Sequence, residues 1–183
     1  MRVADFFRSR YRTPFFYLVL ACFGFQLTLT ILQCHNLVDD AYISARYARN
    51  LAQGFGLVYN RGPGVERVEG YSNFLWVLVL ALGWETGLSM RFTAQFLGAG
   101  FAILASVILF LWVRQSTGKN WAGLCAAGLA GSNIYFAVWN VQGLETPLFS
   151  LLLIAGLYAL SLGRQRLAIF LALLAALTRP DGA

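Results

Sequence analysis

Charge is scarce in this chain. Only 12% of the 183 residues are charged, against about a quarter in water-soluble domains, and only eight are acidic. There is one histidine, and the three cysteines, Cys22, Cys34 and Cys125, are far apart with no metal-ligand spacing. That spacing excludes a zinc module and a disulfide-stapled secreted scaffold. Cys22 and Cys125 read as membrane-buried packing residues, and Cys34 as an unpaired thiol at a membrane edge. Four prolines, no internal repeat and no low-complexity tract leave no linker that would divide soluble domains. The chain therefore reads as one module over 1–183.

What is present is apolar: 58% of residues are hydrophobic and mean hydropathy is +0.62. Several apolar runs reach or approach the ~20 residues that cross a hydrocarbon core, so the chain reads as an integral membrane protein. Its net charge of +6 is not a nucleic-acid signal, because the basic residues sit at the ends of apolar runs, where they fix topology and meet anionic lipid.

Five spans are expected, at Phe15–Leu32, Phe92–Val113, Trp121–Trp139, Pro147–Leu162 and Leu167–Leu177. A sixth run, Phe74–Trp84, is too short to cross and is expected to lie at the interface. The first run is longer than a signal-peptide core and is followed by no small-x-small cleavage site, so it reads as an uncleaved helix. The basic cluster Arg2, Arg8, Arg10 and Arg12 places the N-terminus in the cytoplasm. With Phe74–Trp84 not crossing, the Arg114/Lys119 and Arg164/Arg166 loops are also cytoplasmic, as the positive-inside rule requires. A long outer loop then runs over 33–90, and a second outer turn surrounds Asn140–Thr146. The glycines Gly98, Gly100, Gly123, Gly128 and Gly131 suit close helix packing. Trp76, Trp84, Trp121 and Trp139 read as interface anchors.

Within the long loop, Asp39 or Asp40 is expected to cap a helix running to about Gln53. Ile43, Tyr47 and Leu51 form its apolar face, while Ser44, Arg46, Arg49 and Asn50 point elsewhere. Such a helix suits the bilayer surface. Gly54-Phe55-Gly56 ends it, Leu57-Val58-Tyr59 is extended, and Arg61-Gly62-Pro63-Gly64 is a turn.

Asp5 belongs to the basic tail. In this topology the other seven acids all face outward: Asp39, Asp40, Glu66, Glu69, Glu85, Glu145 and Asp181. Carboxylates converging at one membrane face suggest a site. They can hold a divalent cation, supply a general base for a substrate hydroxyl, or simply cap helices. Glu145, in the Gly143-Leu144-Glu145-Thr146-Pro147 turn, is also placed to cap the next helix. His35 admits a metal role, although a structural role suits a lone interfacial histidine. Tyr71 or Trp76 could stack on a sugar.

The stretch DDAYISARYARNLAQGFGLVYN over 39–60, followed by ERVEGYSNFLW, GLETPLF and LTRPDG, resembles the N-terminal half of a GT-C fold glycosyltransferase. The nearest likeness is to bacterial mannosyltransferase-like and arabinofuranosyltransferase-like members. Protein mannosyltransferases, the aminoarabinose transferases of lipid A and the oligosaccharyltransferase catalytic subunit are more distantly similar. The resemblance implies an all-α polytopic membrane bundle of about five spans with outer juxtamembrane helices. It implies transfer of a sugar from a polyprenyl-phosphate donor to a glycan, lipid or protein acceptor, at the outer face of a bacterial inner membrane. It assigns catalysis to Asp39, with Asp40 close behind, and makes Glu145 the second outer acid. Glu69 matches the acid ahead of the juxtamembrane helix, and Arg179 the basic residue for the donor phosphate. Arg46 and Tyr71 join them as substrate-binding candidates.

The resemblance fixes no cofactor and leaves a divalent cation open. A divalent cation on Asp39, Asp40 and Glu69 is the alternative partner for the leaving phosphate. Members of that family run to several hundred residues, so a chain ending at Ala183 is expected to be truncated and to lack part of the donor groove and acceptor site. The competing reading is a non-catalytic membrane scaffold or transporter component. The absence of charged residues from mid-span positions argues against transport.

Overall fold

The computed structural model describes residues 12–32, 37–62, 64 and 66–180. All regular structure among them is helical, as the sequence predicts. In chain order the helices are α1 (Arg12–Leu32), α2 (Asp39–Ala52), α3 (Phe74–Trp84), α4 (Met90–Thr117), α5 (Asn120–Ser132), α6 (Ile134–Trp139), α7 (Thr146–Ser161) and α8 (Gln165–Thr178). Gly62 and Gly64 both have positive φ, while Pro63 of the expected turn lies outside the described residues. His35, Cys34 and Asp181 lie outside them too.

Local chemistry sets some of the helix ends. Ser89 caps α4, its Oγ accepting from Phe92 N, and Gly118 ends that helix in the left-handed region at φ 69°. The run Trp121–Trp139 is not one helix. Asn133 breaks it, and its Oδ1 accepts from the backbone N–H of Tyr135 and Phe136, starting α6 afresh.

Helix α3 is the hub of the packing. Its Trp76, Val77, Leu80 and Ala81 pack with Tyr47 and Ala48 of α2, Ala94 of α4, Leu148 and Leu152 of α7, and Ala175 of α8. Eleven residues rise only about 16 Å, half of a hydrocarbon core, so α3 fits inside a bundle without crossing. Trp76 is fully buried, and its Nε1 donates to Gly143 O at 3.0 Å. It is therefore neither an interface anchor nor available to stack on a sugar. The indole is the largest apolar side chain on the inward face of α3 and it finds its one polar partner inside.

Around this hub α4 packs along α5 and α7, α7 pairs with α8, and α1 lies on α5. Small residues permit the close crossings. A Cβ on Gly98 would sit 2.1 Å from Asn140 O, and one on Gly123 would sit 2.6 Å from Phe110 O. Gly100, in contrast, faces open space. The outer faces carry large apolar side chains, among them Phe96, Leu129, Leu157 and Leu173. Large exposed apolar side chains in this number mark a surface made for contact with a membrane or another protein. Cys125 is exposed on α5, so it is not the packing residue expected. Met90–Thr117 is the helix among the described residues that is long and apolar enough to cross a membrane.

Candidate active site

The acidic pair sits at the first turn of α2, but Asp39 is not the cap. Val38 holds that position with an extended backbone, and neither carboxylate makes a side-chain cap bond. Both carboxylates are exposed, with no hydrogen-bond or ion-pair partner among the described residues. Their local contribution to the helix is the favourable placement of negative charge at the positive end of its dipole, and their oxygens stay exposed.

The start of α2 is docked on the turn that carries Glu145. Val38 N donates to Gln142 O at 3.2 Å. Gly143, at φ 87°, lies so close that a Cβ there would meet Leu37 Cδ2 at 2.7 Å and Ala41 Cβ at 2.9 Å. Only glycine satisfies both the left-handed backbone and the contact. Trp76 holds the same turn from beneath by its bond to Gly143 O.

Glu145 occupies the position before α7, with Pro147 inside the first turn, yet its carboxylate does not cap that helix. Its Oε2 instead accepts from Asn73 Nδ2 at 2.9 Å. The same Nδ2 donates to Ser44 Oγ at 2.9 Å, and Ser44 Oγ donates back to Asn73 Oδ1 at 3.2 Å. Ser44 and Asn73 are both buried. Three segments distant in sequence thus meet through one amide: α2, the residue before α3, and the 140–145 turn. Expecting Ser44 and Asn50 to point away from the apolar face of α2 was wrong, since both are buried against the loop and α3. The apolar stripe through Ile43, Tyr47 and Leu51 does pack inward. Ser44 and Asn50 border that stripe, so it is broader than the apolar residues alone suggest.

Tyr47 places the remaining loop residues. Its hydroxyl donates to Val68 O at 2.6 Å and accepts from Gly70 N at 2.9 Å, which fixes the backbone on both sides of Glu69. Its ring meets Tyr71 edge-on at 4.8 Å. The Tyr71 hydroxyl is pushed above its usual pKa, chiefly by burial and secondly by the neighbouring Glu69 carboxylate, so it is held as a neutral phenol. Glu69 and Glu66 are exposed. Arg46 is exposed, with its guanidinium 4.4 Å from the Tyr59 ring centre. Arg179 follows α8 and lies over Phe149, the fourth residue of α7, at 5.4 Å. Among the described residues no three His, Cys, Asp or Glu side chains are grouped to hold a metal. A cation on Asp39, Asp40 or Glu69 would need substrate or water oxygens to complete its shell.

Asn73, Ser44, Gly143 and Trp76 were not recognised in the sequence as parts of this corner. Asn73 carried a weak signal: a polar residue directly before a wholly apolar helix. The others form it only through contacts between segments far apart in the chain.

An acid-bearing helix start locked to a second acidic turn beside an apolar bundle is an arrangement a membrane group-transfer enzyme can use. Sequence comparison is consistent with a relationship to glycosyltransferases. The chain is 33% identical over 120 residues to the terminal beta-(1->2)-arabinofuranosyltransferase of Mycobacterium tuberculosis (strain ATCC 25618 / H37Rv), a match covering 61% of this chain and 19% of that protein. No protein-family model and no solved structure matches.

Proposed function

We propose that this chain forms the acid-bearing part of a multi-pass GT-C type glycosyltransferase. It transfers a sugar, in the first instance a pentofuranose, from a polyprenyl-phosphate donor to a cell-envelope glycan at the outer membrane face. The observation that carries this reading is the docking of the Asp39–Asp40 helix start on the Gln142–Glu145 turn, with Glu145 tied through Asn73 to Ser44 of the same helix. The similarity to an arabinofuranosyltransferase supports the same class of chemistry.

In this mechanism Asp39, with Asp40 beside it, takes the proton from the acceptor hydroxyl. The acceptor oxygen bonds to the anomeric carbon as the bond from that carbon to the phosphate oxygen breaks. The electron pair leaves on the lipid phosphate, where Arg179 and Arg46 offer planar donor groups to the growing charge. Glu145 is held by Asn73 to orient a sugar hydroxyl. Glu69 and Tyr71 border the same loop, the neutral phenol as a hydrogen-bonding and stacking surface. A divalent cation bridging the exposed acids and the phosphate is an alternative source of the same charge stabilisation.

The test is sugar transfer from a labelled polyprenyl-phosphate pentose by membranes containing the protein. Asp39→Asn is expected to lower turnover by about 10²-fold or more, the scale of lost general-base catalysis, with Asp40→Asn less severe. Full transfer by both variants would remove the base assignment.

A further inference from the structure

Seven residues along α2 from Asp39, on the same exposed face, lies a second polar feature of different charge. A cleft of about 440 Å³ is lined by Arg46, Arg49, Asn50, Tyr59, Asn60 and Arg61. Three guanidinium groups share it and no carboxylate lines it. Like charges gathered in this way repel unless an anion joins them.

The cleft is built rather than a chance gathering of surface arginines. Asn50 is 1% exposed. Its Nδ2 donates to Val58 O at 2.6 Å and Tyr59 O at 3.1 Å, fixing the wall of the cleft. Its Oδ1 accepts from Arg61 Nε at 2.8 Å and from Arg61 Nη2 at 2.5 Å. Arg61 Nη2 also donates to Gln53 Oε1, and the guanidinium lies over the Phe55 ring at 4.1 Å. These bonds use the donors of Nε and Nη2, and Nη1 keeps both of its own without a partner among the described residues. Arg46 lies over the Tyr59 ring, its guanidinium 4.4 Å from the ring centre. Two of the three cations are therefore positioned before any ligand arrives, which lowers the ordering cost of binding. Planar forks of N–H donors match the tetrahedral oxygens of phosphate.

We infer that this cleft is a binding site for a phosphate-bearing group, with Arg46, Arg49 and Arg61 as its ligands. Two sources carry that chemistry: the headgroup of an anionic phospholipid at the bilayer surface, and the phosphate of a polyprenyl-linked sugar. The cleft lies about 10 Å from Asp39 by helix rise, close enough for one extended donor to reach both. The inference stands without the transferase reading, because the site is defined by binding alone.

The test uses the whole chain purified in a neutral maltoside detergent, with bound lipid counted by native mass spectrometry. Three probes are compared: phosphatidylglycerol, phosphatidylcholine and a polyprenyl monophosphate. The wild-type chain is expected to hold one phosphatidylglycerol at least tenfold more tightly than phosphatidylcholine. Arg46→Gln/Arg49→Gln, at two exposed positions, is expected to abolish that preference. Arg164→Gln/Arg166→Gln, which removes the same charge elsewhere, is expected to keep it. Polyprenyl phosphate displacing phosphatidylglycerol at sub-stoichiometric amounts identifies the donor as the ligand; displacement only in excess identifies the headgroup. Equal loss in both double variants, or no preference for an anionic probe, would overturn the site. Since no turnover is measured, failed sugar transfer alongside arginine-dependent binding would sink the transferase proposal alone.

Discussion

Asn73 shows how much can depend on one buried amide. Its Nδ2 serves Ser44 and Glu145 at once, at 2.9 Å each, from a position that water scarcely reaches. Removing it strands the buried Ser44 hydroxyl and releases the Glu145 carboxylate. Asn73→Ala is expected to cost about 1–3 kcal/mol, the range for a buried polar group left unpaired, read as a lower unfolding midpoint in detergent. Asn73→Asp has the same shape but the opposite consequence for charge. At neutral pH it sets a second carboxylate against Glu145, so its midpoint should fall below that of Asn73→Ala. On acidification one of the two carboxyls takes up a proton, becomes a donor and restores the link, so the deficit should shrink as pH falls. A pH-independent deficit would mean that Glu145 is not held by this side chain.

Among the elements, the ends of α3 were legible because a continuous apolar run is bounded by Asn73 and Glu85, and the observed helix is Phe74–Trp84 as expected. Its burial was not legible. Tryptophan in a membrane sequence reads as an interface anchor, and nothing local distinguishes Trp76, which is buried, from Trp121, which is 61% exposed. The break at Asn133 was missed because hydropathy averaged over a window hides one capping residue inside an apolar run. Glycines illustrate the same limit. Gly98 and Gly100 lie two residues apart on α4 and look alike in sequence, yet they point to different neighbours. Gly98→Ala drives a methyl into the carbonyl of Asn140 and is expected to destabilise by about 1–3 kcal/mol, the scale of overpacking. Gly100→Ala meets nothing within 4 Å and should be neutral or slightly stabilising. Equal unfolding midpoints for the two variants would show that α4 does not cross the 140–145 turn as described.

Across the whole molecule the question is which side of a membrane each loop occupies. Loops around Lys119 and Arg164 join apolar helices, α4 to α5 and α7 to α8, and the acid corner joins α2 to the 140–145 turn. If the basic loops are cytoplasmic and the corner is outside, single cysteines will report it in a background lacking Cys22, Cys34 and Cys125. Asn60→Cys should react with an impermeant maleimide in intact cells, whereas Thr117→Cys and Gln165→Cys should react only after permeabilisation. Labelling of Thr117→Cys in intact cells would invert the topology and remove the outer-face reading of the acids.

By itself the sequence determined the helical, apolar character of the chain, the short apolar helix Phe74–Trp84, the left-handed glycines that end α2, and the rarity of carboxylates that made Asp39, Asp40 and Glu145 noticeable. These are local properties, set by side-chain chemistry and periodicity within one or two helical turns. Only the tertiary structure decided that Glu145 turns away from its own helix toward Asn73, 72 residues earlier in the chain. It also decided that Trp76 supports the acid corner from inside, and that Arg46, Arg49 and Arg61 share a single cleft. Those outcomes follow from packing between segments far apart in sequence, where one buried donor or one missing Cβ sets the geometry and no local pattern records it.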